Sequence, residues 1–467
     1  MQQLVKACLQ DAECRLKMDL RWTVEGCFIP TVYQGVVVAL PLLGSSLVLR
    51  LLVAWSSLSR ETLNNIATLL GLYVLWWYYE ASVAYFIALG VLVYIALLVS
   101  GRWKGIVVSA IAITFILACE LLVVTAVKWH QVRGSFLVVV MKMVSLAFDL
   151  DNLQRGSVDS NKPVALHTPD FMEYASYCVF PGTTVFGPFI TYSEHIKFLS
   201  PTPLSRSWLW HTARSLALAL LSLGASVCVI PNLFTEPLWN KWLAAFSAAM
   251  SFRYSHYFVC YISQFSVLAG GLGHIIEKDG TISWGSFTVI HLFAVEIPRS
   301  LSSVVTNWNI PMHNFLKTYV FKPSKIHLGQ FGAILSTYVA SALLHGMNFQ
   351  LAAVLLSIGL FAYAEGVLRF KLSKKLNACI LDRPCGSRCG HHNTPNQLWV
   401  SLLNAGFSLL AVVHLAYLGL MFGVQSTDAS AHQGEGFSMT HTLKKWSHLD
   451  FLCHWVALLT YCISCLL

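Results

Sequence analysis

Charge is what this sequence has least of. Asp, Glu, Lys and Arg together make up 11% of its 467 residues, where a soluble domain carries about 25%. So thin a cover of charge excludes a soluble globular chain. Lys and Arg outnumber Asp and Glu, for a net charge of +9, but no basic soluble face of the kind nucleic acid needs is visible. Strict apolar–polar alternation is also missing, which argues against a membrane β-barrel. No internal repeat stands out, so an inverted-repeat transporter finds no support. The first residues lack a signal-peptide core, because Asp11, Glu13, Arg15, Lys17 and Asp19 interrupt them. The first membrane helix is therefore expected to act as the targeting signal.

What the sequence has is hydrophobic length. Apolar residues make up 56% of it, and runs able to cross a hydrocarbon core of about 30 Å recur. They fall at about 31–49, 63–79, 82–100, 106–127, 171–192, 210–231, 239–272, 328–347, 349–368, 398–423 and 448–466. The expected fold is all-α: a polytopic membrane helical bundle with about ten or eleven spans. Re-entrant and interfacial helices are expected to accompany the spans around a transmembrane tunnel. Residues 1–30 read as an amphipathic N-terminal segment and 31–467 as one membrane-embedded domain. Residues 128–151 carry His130, Arg133, Lys142 and Asp149 and are too polar to face lipid. Pro181-Gly182 and Gly187-Pro188 are expected to break the helix that contains them. Broken backbone at membrane depth is tolerated only against protein or a water-filled cavity. The stretch 285–325 is interrupted in the same way and reads as re-entrant.

Three groups of residues carry candidate chemistry. The first is His345, at the end of an apolar run that begins at Phe331, with Asn309 upstream of it. An ionisable residue at membrane depth marks a functional site by default. The bland alternative is a histidine that only bonds a neighbouring helix. Tyr338 and Ser341 share the helical face of His345. Arg299, Lys317 and Lys322 suit phosphate recognition, although for the two lysines ordinary cytosolic charge is the favoured reading. Trp308 fits an acyl-chain contact or plain core packing. The second group is Glu120, which needs an interior partner. The third is Cys379, Cys385, Cys389 and His391 in a predicted cytosolic loop, where a reducing compartment disfavours disulfides. Three thiols and an imidazole match a Cys3His zinc site. Free or acylated thiols compete with that reading, and His392 can substitute for His391. The other cysteines, such as Cys119, Cys228 and Cys260, read as small buried hydrophobes.

Basic residues orient the chain. Loop 369–397 and the segment 317–325 are rich in Lys and Arg, whereas 424–447 is not. The first two belong on the cytosolic side. His345 then lies near the lumenal end of its helix.

Trp308-Asn309 followed by a histidine ending an apolar helix resembles the signature of the membrane-bound O-acyltransferases. KWHQVRG (128–134), MKMVSLAFDLD (141–151), VFGPFI (185–190), RSLALALL (214–221), TYVFK (318–322), SALLHG (341–346), FQLAAVLLS (349–357) and HLAYLG (414–419) extend the resemblance from about Lys128 to the C-terminus. It implies that His345 is the base and Asn309 its catalytic partner. It also implies palmitoleoyl-CoA as acyl donor, the serine of a Wnt protein as acceptor, and the endoplasmic-reticulum membrane as the location. Acylation of a lipid or sterol hydroxyl, and a proton relay through His345 and Glu120 in a transporter, are the rival readings.

Overall fold

The computed structural model describes residues 21–55, 58–123, 126–154, 167–198, 204–233, 240–276, 282–285, 287–345, 348–386, 389–422 and 439–467. Most of the predicted amphipathic N-terminal segment and most of the loop 424–447 lie outside these residues. Sixteen helices matter here. They are α1 Ile29–Trp55, α2 Arg60–Tyr79, α3 Val83–Val99, α4 Lys104–Ala118, α5 Ala126–Gln154 and α6 Phe171–Val179. Next come α7 Arg206–Gly224, α8 Lys241–Gly270, α9 Leu292–Glu296, α10 Leu301–Asn307 and α11 Ile310–Leu316. The last five are α12 Lys322–Leu344, α13 Phe349–Leu376, α14 Leu398–Gly419, α15 Met439–His448 and α16 Leu452–Leu466. A two-stranded antiparallel hairpin, His274–Ile276 with Ile282–Trp284, pairs His274 with Trp284.

Seven helical runs among the described residues are long and apolar enough to cross a membrane, and α15 with α16, bent by 77°, forms an eighth candidate. This is fewer than the ten or eleven expected. Part of the difference is in the counting, because the run Arg60–Val99 is a hairpin and not one span. At Glu80 φ is +47°, and the chain turns back. Arg60, at one end, bonds Glu173 at 3.0 Å. Tyr94, near the other end, packs its ring tilted against Tyr174 of the same short helix, with ring centres 5.2 Å apart. The remaining difference is physical. The expected run 171–192 breaks after Val179, and α8, like α5, fills the interior and is wrapped by protein, so it need not be uniformly apolar.

Helix α5 shows why. Lys142 is fully buried, and its ammonium donates to the carbonyls of Tyr177 (3.1 Å) and Cys178 (3.2 Å) and to Thr183 Oγ1 (2.6 Å). Its neighbour Asp151 accepts from the backbone N–H groups of Lys104 and Gly105 at 3.1 and 2.8 Å, capping α4 from a distance. Charges at membrane depth are expensive, and here each spends its capacity on protein groups. Glu120 likewise meets Arg133 of α5, at 3.8 Å.

Apolar packing divides into two large clusters. One gathers α2 to α6 around α5, and the other gathers α8, α13, α14 and α16. Close approach of α2 to α6 depends on one glycine: a Cβ at Gly71 would sit 1.7 Å from the Val179 carbonyl oxygen. As expected from Pro181-Gly182 and Gly187-Pro188, α6 stops at Val179. A short turn, Pro181–Thr184, and non-helical backbone through 187–191 follow. The interrupted stretch 285–325 becomes α9, α10 and α11. The last of these continues through a wider π-helical turn, Lys317–Phe321, into α12. Gly329, at φ +68°, kinks that long helix. A helix therefore forms well before the start expected at about 328.

One cysteine reading is corrected. Cys228 was expected to be a small buried hydrophobe, but it forms a disulfide with Cys27 across 201 residues of sequence. The bond ties the entry of α1 to the π-helical extension of α7.

Candidate active site

A cavity of about 270 Å³ opens between the two apolar clusters. Gly134, Leu137, Val138 and Met141 of α5 form one wall, and Val259, Cys260 and Ser263 of α8 form the opposite wall. The broken segment Val185–Phe189 contributes a third side. Asn309, Met312, Leu344 and His345 close it. The lining is apolar apart from Cys260, Ser263, Asn309 and His345, which suits a long acyl chain that has a reacting end.

Local structure holds His345 in one orientation. It ends α12, where its backbone N–H still bonds Ser341 O at 3.0 Å. Its Nδ1 lies 2.7 Å from the same Ser341 carbonyl oxygen. A carbonyl only accepts, so Nδ1 must carry the proton and donate it. The neutral ring then has its lone pair on Nε2, the arrangement of a general base.

Asn309 is held from the other side. It is the N-cap of α11, and its Oδ1 accepts from Met312 N at 3.2 Å. The cap consumes the acceptor end of the amide and leaves the NH₂ end for the cavity. A donor held in this way is what a developing oxyanion requires. The segment that carries Asn309 is fixed through Trp308. The Trp308 ring sits 6.0 Å from those of both His256 and Tyr257, and its carbonyl accepts from Cys260 Sγ at 3.7 Å. Tyr257 in turn bonds Glu296 at 2.5 Å, and Arg253 grips that carboxylate with two bonds of 2.9 Å. The sequence alone did not single out Arg253, His256 or Tyr257. A charged residue at 253 inside an otherwise apolar run was the signal available for them.

The other expected substrate contacts are placed elsewhere. Tyr338 packs against Gly359 at the α12–α13 crossing, where a Cβ on Gly359 would meet the ring at 2.6 Å. Ser341 is buried and serves the site through its carbonyl. Trp308 supports the wall from behind and does not line it. Arg299 turns away from the cavity: its guanidinium donates to the carbonyls of Leu381 and Cys379, both at 3.0 Å. Lys317 and Lys322 are exposed. Cys379, Cys385, Cys389 and His391 converge at a separate place, on the loop after α13. There the bonds from Cys379 and His391 pull the Cys389 thiol down to about 6, while burial pushes the Cys379 thiol up to about 12.

Residues 107–375 match the membrane-bound O-acyltransferase (MBOAT) family. The chain belongs to that family. It is 39% identical over 454 residues to the protein-serine O-palmitoleoyltransferase porcupine of Mus musculus, covering 93% of this chain and 95% of the mouse protein. The Homo sapiens protein of the same name gives the same identity and coverage. The Anopheles gambiae protein of that name is 30% identical over 476 residues, covering 95% of this chain and 93% of its own. This chain is therefore a multi-pass membrane acyltransferase, and the cavity that joins His345 to Asn309 is its candidate catalytic centre.

Proposed function

We propose that this enzyme transfers a palmitoleoyl group from palmitoleoyl-CoA to the serine hydroxyl of a Wnt protein, in the endoplasmic-reticulum membrane. The observation that carries the chemistry is the placement of His345 and Asn309 on one apolar cavity, the imidazole with Nδ1 held by Ser341 and Nε2 left as the base. The acyl group and the acceptor class rest on likeness to relatives named as protein-serine O-palmitoleoyltransferases; the Wnt acceptor rests on the motif resemblance alone.

In this reading the serine oxygen attacks the thioester carbon as His345 Nε2 takes its proton. The Asn309 amide donates to the carbonyl oxygen while negative charge gathers there. When the C–S bond breaks, the coenzyme A thiolate leaves and recovers the proton from His345. An oxygen ester and free coenzyme A are the products. Ser341 acts as a positioning residue through its carbonyl and forms no acyl intermediate. Trp308 positions Asn309 by anchoring the start of α11.

Orientation follows the basic loops, with 317–325 and 369–397 toward the cytosol. The Cys27–Cys228 disulfide supports it from the other side. Lys241 begins α8, and its ammonium bonds the carbonyl of His448 at 3.0 Å, just beyond the loop 424–447 read as lumenal. The disulfide lies where α7 hands over toward α8, at this same end of the bundle. Disulfides persist in the oxidising lumen and not in the cytosol. The acyl donor then enters from the cytosol and the acceptor from the lumen.

A microsomal assay with labelled palmitoleoyl-CoA tests the acceptor. Label on the serine of a co-expressed Wnt is the expected result. Label on lipid or sterol alone refutes the protein acceptor, and no transfer at all refutes the reading.

A further inference from the structure

We infer that the loop joining α13 to α14 is a structural Zn²⁺ site, with Cys379, Cys385, Cys389 and His391 as its four ligands. The four donor atoms lie within 4.8 Å of one another. Zinc bound tetrahedrally at about 2.3 Å from sulfur and about 2.0–2.1 Å from nitrogen sets S···N edges near 3.5 Å. Cys379 Sγ and Cys385 Sγ stand 3.7 and 3.6 Å from His391 Nδ1, close to that edge. Cys389 Sγ is nearer, 2.9 Å from the same nitrogen and 3.0 Å from Cys379 Sγ. It needs to move outward by under 1 Å to complete the tetrahedron.

Two further observations point to a metal and not to free thiols. The first is the far side of the imidazole. His391 Nε2 lies 3.0 Å from Ser373 Oγ, and Ser373 Oγ–H donates to the Ala378 carbonyl at 2.6 Å. Since that hydroxyl proton is already committed, Oγ accepts from Nε2–H. The Nδ1 lone pair is thereby aimed at the three sulfurs. Metal-binding histidines are oriented by such outer partners. The second is how firmly the backbone at Cys379 and beside His391 is held. Cys379 N donates to Asn393 O at 2.9 Å, and Asn393 N donates to Asn377 O at 2.9 Å, so the two halves of the loop form a bridge. Arg299, Arg369 and Asn404 donate to the carbonyls of Cys379, Ile380 and Leu381. The backbone at Cys379 and the segment beside His391 are thereby held against each other and against α13 and α14.

Binding releases the three thiol protons to solvent and leaves a site of net charge −1, with no open coordination position. Its role is structural. Through Arg299 and Ser300, which donate to loop carbonyls, the closed loop clamps the segment leading into α10 and Asn309.

The test is elemental analysis of the full-length protein purified in detergent without added metal. About one zinc per chain is expected, as a single four-ligand site requires. Cys389→Ser and His391→Ala should each lower it several-fold, while Cys462→Ser, which removes an exposed thiol outside the cluster, should leave it unchanged. Should the ligand variants fail to fold, protein expressed in cobalt medium gives a second readout. Visible ligand-field bands of a tetrahedral thiolate site support the proposal, and their absence from cobalt-grown protein overturns it. Zinc below a tenth of one equivalent in active enzyme also overturns it. So does a zinc content that the ligand variants do not change, or an acyl thioester on any of these cysteines that hydroxylamine removes.

Discussion

Asn309 has two jobs in this structure, and they can be separated. Its Oδ1 caps α11 by accepting from Met312 N, and its NH₂ end is assigned to the thioester oxygen. Asn309→Ala removes both. Losing the cap costs about 0.5–2 kcal/mol of stability, and losing one oxyanion donor costs about 10²–10³ in rate. Asn309→Asp keeps an acceptor at the cap, since Asp caps as well as Asn, but has no NH₂ to donate. Asn309→Ser keeps a capping oxygen on a shorter side chain. Unfolding temperatures should be near normal for the Asp and Ser variants and lowered for Ala. Acyl transfer should fall by about 10²–10³ in all three. Thermal unfolding in detergent and a single-turnover assay on the same preparations read the two effects independently. Full activity of the Asp protein would refute the donor role. A drop in activity that only tracks stability would reduce Asn309 to a helix cap.

Three further expectations concern what holds the site. Arg369 is fully buried, bonds Glu365 at 2.9 Å and donates to four other oxygens. Arg369→Met should destabilise the protein by about 3–5 kcal/mol, because a buried carboxylate loses its partner; an unfolding temperature equal to the parent's would contradict this. Gly71→Ala must push α2 off the Val179 carbonyl and should cost about 1–3 kcal/mol. Unaltered stability of that variant would mean that the α2–α6 contact is looser than described. Removing the disulfide with Cys27→Ser should cost about 2–4 kcal/mol, and reduction should shift the gel mobility of the parent but not of this variant. A parent whose two cysteines both react with a thiol reagent before reduction would show that the bond does not form.

The sequence marked its candidate site residues more plainly than it marked the packing. His345 stood out as a candidate because an imidazole in an apolar run is costly, and Asn309 because Trp308-Asn309 upstream of such a histidine resembles a family signature. Helix α5 was correctly excluded from lipid by Lys142 and Asp149. Other features depend on partners far along the chain, and periodicity says nothing about them. Cys228 looks apolar in its own run, and only Cys27, 201 residues away, gives it another meaning. Arg299 carries the charge a phosphate binder needs, yet its bonds go to carbonyls some 80 residues downstream. The cavity walls on α5 and α8 are built from Gly134, Leu137, Val138 and Met141 and from Val259, Cys260 and Ser263. In a chain this hydrophobic, those residues carry no local mark of their role. The turn at Glu80 was legible only as a gap between two apolar runs.

The central claim is that His345 Nε2 removes the proton from the acceptor hydroxyl. The most direct measurement is the single-turnover rate of acyl transfer by purified His345→Ala protein, with donor binding and unfolding temperature recorded on the same sample. A loss of about 10²–10⁴ in rate, with donor still bound and the fold intact, is the predicted result. A rate within a few-fold of the parent enzyme would contradict the account.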